Sequence, residues 1–191
     1  MKRNLVIAAV LLMAVAQASH AGTLEGKVSP GGSVVYVDTI AGKTFPAPAK
    51  TGEVSQRALK FVPHLLVVQQ GTTVDFQNDD SVQHNVFWPS VGGNKKDAHN
   101  MGTWPKGEKR SFKFDHPGVV PLLCNVHSEM SGYIVVSPTP YFAQTDAAGN
   151  FKIDNIPDGK YTVVAWHEGS KPERKWVDVA GTGRVDFAMG Q

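Results

Sequence analysis

Cysteine is nearly absent from this chain, since Cys124 is the only one among 191 residues. An internal disulfide is therefore excluded, which sets the chain apart from small disulfide-stapled secreted domains. In an oxidising compartment a single free thiol is a hazard, an intermolecular link or a metal ligand. Which of the three applies depends on the residues that surround Cys124.

Long apolar segments are missing after residue 21, so no later stretch is long enough to span a bilayer. At the N-terminus, Lys2 and Arg3 precede an apolar run over residues 5–16, and small residues lead up to Ala21. This pattern predicts a Sec-type signal peptide over 1–21 and an exported, periplasmic or otherwise secreted protein. An uncleaved N-terminal anchor is the alternative, whereas a lipoprotein anchor is not expected because no cysteine follows the run.

A surplus of either charge is also missing. The chain has 19 Lys and Arg against 17 Asp and Glu, and removal of the signal peptide takes away Lys2 and Arg3. The mature chain then has 17 residues of each sign. This balance argues against nucleic acid and against a polybasic membrane-binding surface. It also predicts weak electrostatic steering of a protein partner and a modest salt dependence.

Helical periodicity is nearly absent from residue 22 onward. Short β-branched and aromatic runs alternate with Gly, Pro, Asn and Asp instead, which predicts an antiparallel all-β fold. Phe112 and Phe114 fall on one face of their run, with Ser111 and Lys113 on the other, as in a half-buried strand. Strands are predicted over 33–37, 65–68, 72–76, 110–114, 132–136, 151–153, 161–166, 175–179 and 184–187.

A domain boundary is predicted where Pro138 and Pro140 interrupt the strand pattern. Beyond the boundary, residues 145–151 are predicted to form a turn followed by a strand, and residues 156–163 a second such unit with Pro and Asp-Gly in the turn. This pair of units resembles the signature of carboxypeptidase-regulatory or transthyretin-like β-sandwich modules. The resemblance implies a small β-sandwich at the C-terminal end of the chain.

This sandwich needs more strands than its C-terminal part supplies. Residues 138–191 are short for such a module, and residues 22–44 resemble its first two strands. The predicted organisation is therefore a domain over 52–137 inserted into a sandwich of 22–44 plus 138–191, with a proline-containing linker over 43–50. The alternative assigns 22–40 to a first hairpin of the 52–137 domain.

The residues around the lone cysteine form a metal-ligand pattern. Cys124, His127 and Met130 recur every third residue, so one loop can bring a thiolate, an imidazole and a thioether to a single ion. This is the ligand set of a blue-copper centre, which requires one further histidine. His84 is the candidate, forty residues before Cys124, and closing a flexible loop of that length costs roughly 3 kcal/mol. The β-scaffold, and not the metal alone, must therefore assemble the site.

The spacing Cys-x2-His-x2-Met, preceded by His-Asn, resembles that of the plastocyanin-like cupredoxins, with the short amicyanin-type interval between histidine and methionine. The resemblance covers about residues 52–137 and implies a Greek-key β-sandwich that holds one type 1 copper. Ser128 departs from the pattern, because relatives often carry proline after the loop histidine. By resemblance Asn85 ties the two ligand loops together, and the copper ligands are His84, Cys124, His127 and Met130.

Copper held in this way has no open position for substrate, so the resemblance implies a one-electron carrier and not an enzyme. By the same resemblance, His127 lies near the surface in an apolar patch where redox partner proteins dock transiently. Copper nitrite reductases and multicopper oxidases need further histidines, often as His-x-His pairs, which the sequence lacks. It also lacks a phosphate loop, a nucleophile elbow and an HExxH motif.

Two other functions fit part of the sequence. A periplasmic copper chaperone, store or sensor is also exported and also uses soft ligands. The exposed Met-rich or His-rich tracts that a chaperone needs are missing, however. In the second alternative, the sandwich of 22–44 plus 138–191 is a docking module with a stable partner, and the copper domain is its electron-carrying cargo.

The remaining histidines are predicted to have structural or surface roles. His99 lies near Met101, which makes a second copper site the alternative at that position. Trp88 and Pro89 follow His84 closely and are predicted in an apolar docking rim or, for Trp88, in the core. The structural or surface histidines are His64, His99, His116 and His167.

Overall fold

The computed structural model describes residues 21–190, and their regular structure is almost entirely β. The prediction of an all-β fold is therefore confirmed. One turn of 3-10 helix, Lys95–Asp97, is the only helical element in this range. The strands are β1 (Ala21–Ser29), β2 (Val34–Val37), β3 (Gly52–Arg57), β4 (Lys60–Val62), β5 (Leu65–Gln69), β6 (Thr73–Asn78), β7 (His84–Trp88), β8 (His99–Trp104), β9 (Lys109–Lys113), β10 (Gly118–Leu123), β11 (Ser131–Ser137), β12 (Phe142–Gln144), β13 (Asn150–Pro157), β14 (Gly159–Trp166), β15 (Glu173–Val179), β16 (Thr182–Arg184) and β17 (Phe187–Ala188).

The first β-sandwich contains the predicted metal ligands. One of its sheets has the strand order β4-β3-β6-β9 and the other has the order β5-β11-β10-β7-β8. Side chains alternate along β6 as a half-buried strand requires, so Val74 and Phe76 point into the core, where Trp88 also lies. Cys124 and Met130 belong to the same buried cluster. The predicted metal site therefore adjoins this core.

The second β-sandwich is built from the two ends of the described chain. Strand β1 pairs with β13, β16 and β17, while β2 lies between β12 and β14 in a sheet that ends at β15. Within residues 21–190, neither β1 nor β2 pairs with a strand of the first sandwich. These pairings support the proposal that 22–44 and 138–191 form one module into which 52–137 is inserted.

A third apolar layer joins the two sandwiches. It lies between the sheet that contains β14 and the sheet that contains β11, and a 2.7 Å contact between the His64 Nε2 and the Glu168 carboxylate spans its edge. Strands β2 and β14 bury side chains on both faces, so their sequences VVYV and TVVAW show little polar alternation. The buried members of the layer are Val34, Tyr36, Val135, Val164 and Trp166.

The substitution Val164→Ala is expected to lower the free energy of unfolding by about 2 kcal/mol. Val164 is fully buried between the sandwiches, so the lost methyl groups leave a cavity that the two packed sheets cannot easily close. Val62→Ala is the matched control, because Val62 is 45% exposed, and its effect should stay within about 0.5 kcal/mol. Urea denaturation of the copper-free protein measures both, and equal effects would contradict the packed interface.

The strand pairing is not purely antiparallel as predicted, because β3 pairs with β6, β5 with β11, and β1 with β16 and β17 in parallel. Two local predictions also need comment. The single strand predicted over 184–187 is wrong, because the chain forms β16 and β17 instead. Between them the Val185 N–H still donates to the Glu25 carbonyl, but the Lys27 N–H donates to the Asp186 carboxylate, so a side chain interrupts the backbone ladder there. The predicted signal peptide lies outside the described residues except for Ala21. Among residues 21–190, no helix is long and apolar enough to cross a membrane.

Candidate metal centre

The loop between β10 and β11 carries three of the four predicted ligands. Strand β10 ends at Leu123, Cys124 follows it directly, and β11 begins at Ser131. The two strands pair up to Leu123 and Ser131, so the loop starts and ends at the same edge of the sandwich. Inside the loop, the Met130 N–H donates to the His127 carbonyl at 3.1 Å and closes a tight turn.

His84 reaches this loop from the neighbouring strand. Strand β7 pairs with β10 through Phe87 and Leu123, which places the start of β7 beside the ligand loop. The Cys124 Sγ and one ring nitrogen each of His84 and His127 lie within 4.8 Å of one another. Within the described residues, this is the only group of three or more His, Cys, Asp or Glu side chains so placed.

The spacing of the two imidazoles fits a shared metal ion. The Nδ1 atoms of His84 and His127 lie 3.1 Å apart. Two imidazole nitrogens bound to one tetrahedral ion at about 2.0–2.1 Å lie roughly 3.3 Å apart. A thiolate and two imidazoles, with a buried methionine three residues beyond the second imidazole, match the donor preference of copper. The residues present therefore fit the metal that the sequence predicts.

Asp80 determines which nitrogen of His84 faces the site. The His84 Nε2 lies 2.8 Å from the Asp80 Oδ2, and a carboxylate can only accept a hydrogen bond there. The proton of the neutral ring therefore sits on Nε2, and Nδ1 keeps its lone pair for a metal. His84 has no solvent exposure, so this contact also fixes the orientation of the ring.

Asp80 is held in turn by the hairpin between β3 and β4. Its carboxylate accepts hydrogen bonds from the Ala58 N–H at 2.6 Å and the Leu59 N–H at 2.9 Å. Burial alone would raise the pKa of Asp80, but the hydrogen bonds from Leu59, His84 and Ala58 together lower it. The carboxylate is therefore charged when it holds His84. Sequence reasoning missed Asp80, although an acidic residue four positions before a ligand histidine was the available signal.

Asn85 connects three segments around the site. Its backbone N–H points to the Cys124 Sγ at 3.4 Å, and its Oδ1 accepts a hydrogen bond from the Asn125 N–H at 3.3 Å. Its Nδ2 donates at 2.8 Å to the Asn100 Oδ1 and to the Gly102 carbonyl in β8. These contacts join the segment that carries His84 to the loop that carries Cys124. The Cys124 sulfur is thus oriented by a backbone N–H from the neighbouring strand β7.

Three of the four predicted ligands are shielded from solvent, and one is partly exposed. His84, Cys124 and Met130 are buried, whereas His127 is half-buried. Within residues 21–190, four of the five exposed large hydrophobic side chains lie on the β3–β4 hairpin, on the segment just before His84 or on the ligand loop. We call this group the apolar rim: Leu59 (41% exposed), Val62 (45%), Val82 (43%) and Val126 (49%).

Two of the remaining histidines make contacts within the first sandwich. The His116 Nδ1 lies 2.9 Å from the Asp97 Oδ1. The His99 ring packs on Phe112 and Trp88, with centroid distances of 4.6 and 5.2 Å. Trp88 is buried in the core, so it does not contribute to the apolar rim. In the described part of the chain, neither histidine belongs to a second ligand group.

Each of the other two histidines makes a contact that involves the second sandwich. His64 pairs with Glu168 across the interface between the sandwiches. The His167 Nδ1 lies 3.2 Å from the Ser33 Oγ. Adjacent in sequence, His167 and Glu168 thus contact different parts of the protein. The contact between His64 and Glu168 joins residues 104 positions apart, so no local pattern predicts it.

Comparison with known proteins places the candidate site in a described family. Residues 49–137 match the model for copper binding proteins of the plastocyanin/azurin family. The chain is also similar to amicyanin-alpha from Methylorubrum extorquens. The identity is 31% over 90 residues, which are 47% of this chain and 75% of that protein. The four predicted ligands and Asn85 all lie within residues 49–137, which match the family model.

Solved structures are similar to about half of the chain. A reduced amicyanin variant shares 24% identity, with 48% of this chain and 86% of that chain covered and a TM-score of 0.43. A copper-containing nitrite reductase from Thermus scotoductus shares 25% identity, with 52% of this chain and 25% of that chain covered and a TM-score of 0.42.

A second family model, described as polysaccharide lyase family 4, domain II, matches residues 119–185. This span begins within β10 of the first sandwich and continues into β16 of the second. It therefore does not follow the boundary between the two sandwiches. The carboxypeptidase-regulatory or transthyretin-like character of the second sandwich stays a prediction.

Proposed function

The chain belongs to the plastocyanin/azurin family of copper-binding proteins, and on this basis we propose that it is an exported one-electron carrier. His84, Cys124, His127 and Met130 would hold a single type 1 copper, with His84 and His127 binding through Nδ1. When bound, this copper supplies a one-electron couple between Cu(I) and Cu(II). The observation that carries the proposal is the convergence of two imidazoles and the lone thiol within 4.8 Å.

The protein matrix limits rearrangement around the metal. His84 is fixed by Asp80, Cys124 receives the Asn85 N–H, and Met130 lies in the packed core of the first sandwich. Rigid ligands that need not move between the two oxidation states keep the reorganisation small, which favours electron transfer. The same burial disfavours a delivery role, because an acceptor protein cannot reach three of the four ligands.

His127 is the proposed point of electron exit. It is the one predicted ligand that is half-buried, and Val126 beside it is part of the apolar rim. An apolar surface without a strong electrostatic field suits small, transient complexes with redox partner proteins. The balanced charge of the mature chain leads us to expect only a modest salt dependence of these complexes.

We further propose that the protein acts without catalysing a reaction on a substrate. With His84, Cys124, His127 and Met130 as its ligands, the copper would keep no open position for a substrate. The periplasm is the proposed location, on the strength of the sequence pattern over residues 1–21. A docking role for the second sandwich, with the copper domain as its cargo, is the alternative.

Val126→Asp is expected to slow electron self-exchange between oxidised and reduced copies by about tenfold or more, because two like charges then meet at the contact. The visible spectrum of the Cu(II) protein should stay unchanged, because Val126 is not a ligand. Line broadening in proton NMR spectra of mixed oxidation states measures the rate. Thr182→Asp, an exposed site in β16, is the matched control and should leave the rate unaltered. Equal rates in both variants would rule out the apolar rim as the contact.

A further inference from the structure

Strand β15 is an unpaired edge of the second sandwich. It pairs with β14 along its whole length of seven residues, in continuous register from Glu173 to Val179. The sheet order β12-β2-β14-β15 leaves no strand hydrogen-bonded to its other side within the described residues, and β16 comes close to β15 near its end, where Gly183 lies beside the Asp178 carbonyl. Such an edge presents free N–H and C=O groups to another chain unless proline, a bulge or a lysine blocks it. Strand β15 contains neither a proline nor a bulge.

The lysine of this strand does not block the approach of a second strand to the edge. The Lys175 ammonium lies 5.1 Å from the centroid of the Phe187 ring. It also donates to the Asp186 carbonyl at 2.6 Å. Both contacts hold it against the segment that follows β16, on the face of β15 that carries the buried Val177. Charged side chains of either sign also discourage such pairing, so a partner strand must match the other charges of β15.

The other face of β15 carries an indole exposed to solvent. Trp176 is 80% exposed, whereas Trp88, Trp104 and Trp166 are all buried. Because side chains alternate along a strand, Arg174 and Asp178 share the face of Trp176. Trp176 is also the central residue of the seven in β15. The strand therefore has an arginine and an aspartate placed symmetrically about an exposed indole.

We propose that β15 pairs with β15 of a second copy of this chain, antiparallel and centred on Trp176. This register places Arg174 opposite Asp178 of the second copy, and by two-fold symmetry the ion pair occurs twice. It places the two Trp176 side chains directly across from each other, where aromatic cross-strand pairs are favourable. A register shifted by two residues loses both matches. The two four-stranded sheets then become one sheet of eight strands.

The contact is expected to be weak and reversible. One strand pair with two indoles buries less than the roughly 1,200 Å² of a standard interface. A dissociation constant of the order of 10–100 μM follows for an interface of this class. None of the predicted copper ligands lies on β15, so the visible spectrum should not depend on association.

Sedimentation velocity of the purified, copper-loaded chain between about 1 and 500 μM tests the proposal, a range set to bracket the expected constant. We expect monomer at the low end and dimer at the high end, with the fluorescence of Trp176 shifting to the blue as its indole is covered. Arg174→Asp and Asp178→Arg should each remove the dimer, because each brings like charges together twice. Lys50→Asp, the same reversal of charge at an exposed residue just before β3, is the control and should dimerise normally.

Mixing the two single variants gives the decisive result. In a mixed pair, the aspartate introduced at position 174 faces the arginine introduced at position 178, and the native Asp178 faces the native Arg174. The mixture should therefore restore the dimer that neither variant forms alone. Arg174 also contacts Asp38 at 3.4 Å, so thermal midpoints must show that both variants are folded. A chain that stays monomeric at 500 μM, single variants that still dimerise, or folded variants whose mixture stays monomeric would overturn the proposal.

Discussion

Replacing Cys124 by serine is expected to abolish the intense visible absorption of the Cu(II)-loaded protein. The thiolate is the ligand that gives a blue-copper site its character, and a serine hydroxyl at the same position is neither soft nor readily deprotonated. Cys124 is the only cysteine in the chain, so no second thiol can replace it. The affinity for copper should fall by more than the ~10–100-fold that is typical of losing a partner outside the ligand set.

Absorption spectra recorded on Cu(II) addition and again after ascorbate reduction measure this effect. Ser128→Ala is the control, because it changes a side chain in the same loop without removing a predicted ligand, and it should keep the band. A Cys124→Ser protein that is still intensely coloured would refute the ligand assignment. A native protein that binds copper without colour would favour delivery or storage over electron transfer.

Asp80→Asn is expected to lower the affinity for copper by about 10–100-fold. The neutral amide holds the Nε2 proton of His84 less strongly, so the Nδ1 lone pair is less reliably presented to the metal. It also weakens the hydrogen bonds from the Ala58 and Leu59 N–H groups that Asp80 now accepts. Competition with a chelator of known affinity measures the change, and thermal unfolding of the copper-free protein measures the contribution of the hairpin.

The adjacent Asp79→Asn is the matched control for this prediction. Asp79 pairs with Arg57 at 3.1 Å and accepts a hydrogen bond from Ser55, and it does not contact His84. Its replacement changes the net charge by the same amount at nearly the same place. If both variants lose copper affinity equally, the effect is one of local charge, and Asp80 does not position His84.

Each sandwich has its own exposed apolar surface, so electron exchange and the proposed dimerisation would use different parts of the protein. The apolar rim borders His127 in the first sandwich, whereas Trp176 lies on an edge strand of the second. Electron exchange at the rim and association through β15 can therefore be disrupted independently. Val126→Asp should leave the proposed dimer intact, and Arg174→Asp should leave the visible spectrum unchanged.

Local sequence determines the features that depend only on near neighbours. The β-branched and aromatic runs with turn residues between them predicted the all-β fold, because strand character is set within a few residues. The spacing of Cys124, His127 and Met130 identified a ligand loop, because all three residues lie within one short segment of seven residues. The family resemblance over about 52–137 then agreed with the match over 49–137.

Tertiary structure alone decided the features that join distant residues. The role of Asp80 depends on the β3–β4 hairpin that holds its carboxylate, and the contact between His64 and Glu168 depends on how two sandwiches meet. The burial of both faces of β14 requires a neighbouring sheet on each side. Likewise, Trp88 is a core residue because Phe112 in β9 and Phe114 just after β9 pack against its ring. Hydrogen-bond partners and burial depend on which strands pack together, and the local sequence of a strand does not show which strands these are.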